Sequence, residues 1–176
     1  MTTVETPASE TEYGGTAKKW QLAVASNDAL GDSLIANVPI PKGEIAMILP
    51  PNLLLSHSEV DVKSARGFNA AVQVAEDLFS MSLADDDLDN YIAHNCEPNC
   101  RIEIKEDYTV HLVANRDIPA QEPLAFDYES TEWDMVSQGV DFTCNCGSTC
   151  CRKHIIGWKR RQQLQSDAEW SVLIAG

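Results

Sequence analysis

The chain has 176 residues, 44% of them hydrophobic, with 27 Asp or Glu against 13 Lys or Arg and a net charge of -14. That composition supports one domain with a real core and holds no run of about 18 apolar residues to span a membrane. The acidic balance speaks against direct nucleic-acid binding and suits a basic protein or peptide partner.

Residues 1–17 are rich in Thr, Glu, Ser and Gly, lack apolar periodicity, and read as a disordered lead. They carry neither the basic start and apolar stretch of a secretory signal nor the arginines of a transit peptide. An intracellular protein, nuclear or cytoplasmic, is therefore expected. The segments WQLAVA (20–25), SLIANV (33–38) and EIAMIL (44–49) are short, apolar and bounded by turn formers. They read as strands, and PNLLLS (51–56) is a further candidate. Phe68, Ala71, Val72, Ala75, Leu78 and Phe79 fall at helical spacing, which predicts a helix from Phe68 to Phe79. RIEIK (101–105) and YTVHLVA (108–114) predict a hairpin across Glu106-Asp107, PLAFDY (123–128) another strand, and residues 157–165 a short helix. Many short strands and few helices predict a mostly β domain.

One segment is echoed. Asn37-Val-Pro-Ile-Pro-Lys-Gly-Glu-Ile resembles Asn115-Arg-Asp-Ile-Pro-Ala-Gln-Glu-Pro-Leu, as if one strand–turn–strand unit were used twice. Gly43 can take positive φ at the first corner; Gln121 occupies the second, so that turn must differ or carry strain.

Cys144-Asn-Cys146 followed by Cys151 gives C-x-C-x4-C, a spacing that lets three thiolates wrap one zinc ion, with Gly147 for the sharp turn inside. Zinc favours four ligands. Cys96, Cys100 and Cys150 are all candidates for the fourth, and spacing does not choose among them.

Three motifs in order carry a resemblance: His94-Asn-Cys96-Glu-Pro-Asn99-Cys100, then Ile118-Pro with Glu122-Pro-Leu-Ala-Phe-Asp127-Tyr128, then the cysteine cluster ending Cys151-Arg152. Together they resemble the SET-domain family with its post-SET tail, over roughly residues 20–160. The resemblance implies small curved sheets around a knot-like crossing, few short helices and a C-terminal zinc clasp. It divides the chain into a lead (1–17), a SET-like domain (18–135), a post-SET tail (136–165) and an extension (166–176). It implies methyl transfer from S-adenosylmethionine to a lysine side chain of a protein, histones among the candidates; separately, a monomer is expected. Tyr128 would be the catalytic tyrosine. Gly31, Ser33, Tyr91, Ala93, His94 and Trp158 would bind the cofactor, His94 through its backbone. Cys96, Cys144, Cys146 and Cys151 would hold structural zinc. The chain departs from the family at Ala93, where an Asn is usual, and at Ser33, the second Gly of a Gly-x-Gly turn. Losing the amide removes hydrogen bonds worth about 0.5–1.5 kcal/mol each. Those departures keep two other readings in play: a catalytically silent binding module, and a pocket repurposed for small-molecule chemistry.

Overall fold

The computed structural model describes residues 10–27, 31–49, 53–63, 67–82, 84 and 87–174. It is built of small sheets. β1 (Leu22–Asn27) and β2 (Gly31–Ala36) form an antiparallel hairpin. β3 (Ile45–Leu49) opens the central sheet, and β4 (Leu53–Leu55), β5 (Ala71–Ala75) and β6 (Leu78–Met81) make a second one in the order β4-β6-β5. β7 (Ala93–His94) follows, then β8 (Cys100–Ile104) and β9 (Val110–Ala114), the predicted hairpin, which joins β3 as β3-β9-β8. β10 (Ala125–Phe126) pairs in parallel with β7, and β11 (Phe142–Thr143) with β12 (His154–Ile155). The helices are α1 (Glu10–Trp20), α2 (His57–Lys63) and α3 (Trp158–Ile174). No helix among the described residues is long and apolar enough to cross a membrane.

The core lies between the hairpin and the central sheet. Leu34, Ile40, Met47, Leu112, Ile118 and Leu124 are fully buried there. Leu34, Met47, Leu112 and Leu124 fall in apolar runs legible in the sequence, whereas Ile40 and Ile118 meet in an isolated β-bridge, and their joint burial supplies the main stabilising term.

Three elements differ from the sequence reading. Residues 10–17 belong to α1 rather than to a structureless lead; residues 1–9 lie outside the described residues. Composition does not reveal the anchor at the end of that helix. Trp20 is buried, and its indole N–H donates to the Ile45 carbonyl at 2.7 Å. The predicted helix over 68–79 is instead a one-turn 3-10 helix, Gly67–Ala70, followed by the β5–β6 hairpin. Asp77 holds the turn at φ 51°, and its carboxylate accepts the His57 N–H at 2.8 Å. The apolar residues there fit both periods. Pairing decides it, because β6 ladders to β4 on its other side, and Phe79 meets Phe68 and His57 edge-on in a separate small core. Finally, α3 runs on to Ile174, so the helix end and the boundary placed at 165 fall inside one helix.

The echoed units face each other. Ile40 and Ile118 exchange both backbone hydrogen bonds, at 2.9 and 2.8 Å. The Gly43 amide donates to the Ala114 carbonyl just before the second unit, and the Gln121 amide to Ala36 just before the first. Gln121 holds φ 70° where Gly43 holds 85°, so the corners match and the second carries the strain of a left-handed glutamine.

Candidate functional site

The C-terminal loop turns back on itself because β11 and β12 pair at its base and Gly147 takes φ 76° near its tip. The sulfurs of Cys96, Cys144, Cys146 and Cys151 then all lie within 4.8 Å of one another, with Cys96 and Cys144 3.9 Å apart. Four bonds of about 2.3 Å in a tetrahedron put sulfurs about 3.8 Å apart, so this donor set fits a zinc ion. Cys100 is buried in the core on β8, its thiol pushed up to about 12 by burial. Cys150 is exposed and faces the Ser148 hydroxyl and the Cys96 carbonyl. The choice left open by spacing thus falls on Cys96, whose sulfur also receives the Arg152 N–H at 3.5 Å.

The parallel β7–β10 pair brings His94 alongside the strand that ends at Tyr128. Tyr128 opens a 3-10 turn rather than continuing the strand, and its N–H donates to His94 Nδ1 at 3.2 Å. Burial lowers the His94 pKa, outweighing Asp127 nearby, so the ring is neutral. With Nδ1 accepting, the ring proton sits on Nε2 and points at Cys96 Sγ, 3.4 Å away. The imidazole therefore braces Tyr128 against the cysteine group, a role the sequence reading missed when it assigned only the His94 backbone.

The Tyr128 hydroxyl donates to the Ile92 carbonyl at 2.7 Å. Burial, with Glu132 beside it, pushes the phenol up to about 12, so it stays protonated at neutral pH. Its ring packs on Phe126, His94 and Phe142, with centroids 4.8, 5.2 and 6.0 Å away.

Tyr128 separates two cavities. The larger, about 390 Å³, is lined by Asp32, Tyr91, Ala93, His94, Asn145 and Cys146 among others. The smaller, about 120 Å³, is lined by Val72, Asp89, Glu132, Met135 and Val140 among others. Asn90, Ile92, Tyr128 and Phe142 belong to both linings and form the wall between them. Three of the six cofactor candidates, Tyr91, Ala93 and His94, thus converge on the larger cavity. Gly31 and Ser33 sit on β2, and it is Asp32 between them that reaches the lining. Ser33 is turned inward, 1% exposed, with its hydroxyl 3.4 Å from the Gly31 carbonyl. Trp158 lines neither cavity. It meets Trp133 edge-on at 5.8 Å, and its backbone N–H donates to the Glu132 carbonyl.

Residues 31–129, more than half of the chain, match the SET domain family. The chain belongs to the SET-domain family. Histone-lysine N-methyltransferase ASHR3 of Arabidopsis thaliana is 35% identical over 85 residues, 47% of this chain and 16% of that protein. Histone-lysine N-methyltransferase trr of Drosophila melanogaster is 38% identical over 69 residues, 38% of this chain and 3% of the relative. Methyltransferase flvH of Aspergillus flavus is 35% identical over 83 residues, 47% of this chain and 40% of the relative. The chain therefore spans well under two thirds of the length of each of these relatives.

In and beyond the matched residues 31–129, several further residues hold the site together. Arg152, just past the last cysteine of the group, grips the Asp127 carboxylate with both terminal nitrogens and lies 3.3 Å from Glu129. Arg161 on α3 donates twice to Glu129 at 2.7 Å, and the Ile156 N–H once at 2.8 Å. Burial opposes the charge on Glu129, yet these donors hold its pKa below the ordinary carboxylate value. The tail is thus bolted to both acids flanking Tyr128. Asn99 clamps the approach to β10, donating to Glu122 and the Pro123 carbonyl and accepting the Ala125 N–H. Glu132 is 6% exposed, and burial raises its pKa to about 7 despite hydrogen bonds from the Gln73 N–H and the Thr131 hydroxyl. The sequence signal for the Asp127–Arg152 pair was opposite charge in two adjacent motifs. For Glu132 there was none.

Proposed function

We propose that this SET domain transfers a methyl group from S-adenosylmethionine to the amine of a lysine side chain in a protein. The observation that carries the reading is Tyr128, which lines both cavities and forms part of the wall between them. In this reading the larger cavity holds the cofactor against Tyr91, Ala93 and His94, with Gly31 and Ser33 shaping the strand behind Asp32. The smaller cavity receives the amine. S-adenosylmethionine, when bound, supplies an electrophilic methyl group. The protein supplies alignment and a dry channel, since in-line displacement needs a neutral amine held at near-attack distance. Tyr128, fixed by the Ile92 carbonyl and protonated, orients the amine rather than removing its proton. Cys96, Cys144, Cys146 and Cys151 hold structural zinc, and residues 136–165 act as a post-SET tail that walls the cofactor cavity. Trp158 supports that tail through Trp133. One chain supplies every residue named, so a monomer suffices. Two relatives named as histone-lysine N-methyltransferases and the net charge of -14 support a basic protein substrate such as a histone.

Calorimetric titration with S-adenosylmethionine, followed by transfer of labelled methyl to histones and cell lysate, tests the reading. Cofactor binding and protein labelling are expected, with Tyr128→Phe losing at least about tenfold in kcat. No binding at millimolar cofactor, or an unimpaired Tyr128→Phe variant, would overturn it.

A further inference from the structure

The smaller cavity contains a group that alignment alone does not explain. Glu132 is almost completely buried, yet its side chain reaches the lining. Its Oε1 accepts both the Gln73 N–H at 2.9 Å and the Thr131 hydroxyl at 3.2 Å, and no donor among the described residues reaches Oε2. A carboxylate this deep normally has a cation beside it. The neighbouring cations are engaged elsewhere: Arg152 on Asp127, Arg161 on Glu129, and Lys159 with its ammonium 3.2 Å from the centre of the Trp133 ring. The other titratable groups on the lining are Tyr128 and Asp89, and β5 faces Glu132 with the neutral Gln73. Val72, Met135, Val140 and Phe142 make much of the remaining wall apolar. A partly apolar cavity whose polar wall carries Asp89, Asn90 and the unpaired Glu132 oxygen is complementary to an alkylammonium ion.

We propose that Glu132 is the ammonium anchor and proton acceptor of this cavity, pairing with the protonated amine of the substrate and leaving it neutral for reaction. The proposal rests on reading the smaller cavity as the amine side of the Tyr128 wall. The N–H bond breaks with its electron pair left on nitrogen, and the proton forms an O–H bond on Glu132. The nitrogen lone pair then makes the N–C bond to the methyl carbon while the C–S pair stays on sulfur, giving a methylammonium product. Tyr128 is unsuited to take that proton, because its own hydroxyl hydrogen is committed to Ile92 and its phenol is protonated. The raised pKa of Glu132, about 7, matches it to proton transfer near neutrality.

The test uses the zinc-loaded chain with carboxyl-labelled glutamate and n-butylammonium chloride, which carries the end of a lysine side chain. NMR titration of the wild type is expected to show the Glu132 carboxyl resonance moving on binding and its pKa falling by about one unit. Glu132→Gln is expected to weaken butylammonium at least about tenfold while Glu132→Asp retains most of the affinity. S-adenosylmethionine affinity should be unchanged in both. In methyl transfer, Glu132→Gln should raise KM for the amine and remove the acidic limb of the kcat/KM profile. Equal butylammonium affinity in the wild type and Glu132→Gln, or a Glu132 resonance that ignores it, would overturn the proposal. Butylammonium binding through Glu132 without any cofactor binding would sustain the anchor and sink the methyl-transfer reading instead.

Discussion

Glu132→Gln should make the domain more stable, and more so as the pH rises. The glutamine oxygen can still accept from Gln73 and Thr131, so the variant removes a charge and keeps the hydrogen bonds. The folded-state pKa of about 7 lies above the ordinary 4.5. Between those values the native protein holds a proton that the unfolded chain has released, so wild-type stability falls as pH rises through that window. Integrating the linkage gives a penalty of about 1 kcal/mol at pH 5.5 and about 3 kcal/mol at pH 8. The gain from the substitution should therefore grow by about 2 kcal/mol between those conditions. At roughly 2–4 °C per kcal/mol for a domain of this size, that is a difference of about 4–8 °C in the melting shift. Paired urea denaturations of wild type and variant at both pH values, with zinc in excess, measure it, and groups common to both proteins cancel. A stability difference that is the same at both pH values would refute the reasoning, as would a variant less stable than wild type at pH 8. A residue that costs stability where it stands is easiest to understand as one kept for the site.

Removing the metal should loosen the tail. Chelation, or Cys144→Ser, should lower the melting temperature by more than about 10 °C and abolish methyl transfer, because structural zinc sites contribute on the order of 10 kcal/mol of binding to folding. An unchanged melt in EDTA would contradict the assignment of Cys96, Cys144, Cys146 and Cys151. Gly157→Ala should be costly for a different reason. Gly157 sits at φ +92°, and an added Cβ would lie 2.6 Å from the Trp133 carbonyl oxygen. Backbone cannot yield cheaply there, so a loss of about 2–4 kcal/mol is expected in chemical denaturation. A midpoint within error of wild type would show that this junction between the tail and Trp133 is softer than described.

Spacing alone made the cysteine site legible. C-x-C-x4-C is local, and a metal ion needs ligands close together, so Cys144, Cys146 and Cys151 declared themselves. Short apolar runs between turn formers likewise marked β1, β2, β3, β8 and β9, because a buried strand needs little more than that pattern. The echo of residues 37–45 at 115–124 even forecast that the second corner must differ or carry strain, and Gln121 occupies it at φ 70°. Tertiary structure decided what depended on distant partners. Residues 68–79 satisfy a helical period, yet β6 pairs with β4 and Gln73 reaches Glu132 and Trp133, some sixty positions on. Cys96 joins the other three only because β7 lies beside β10 and the tail folds back through Arg152. Glu132 looks like any surface acid in the sequence. Burial and the lack of a cation are properties of its surroundings, and those surroundings come from segments that no local pattern connects.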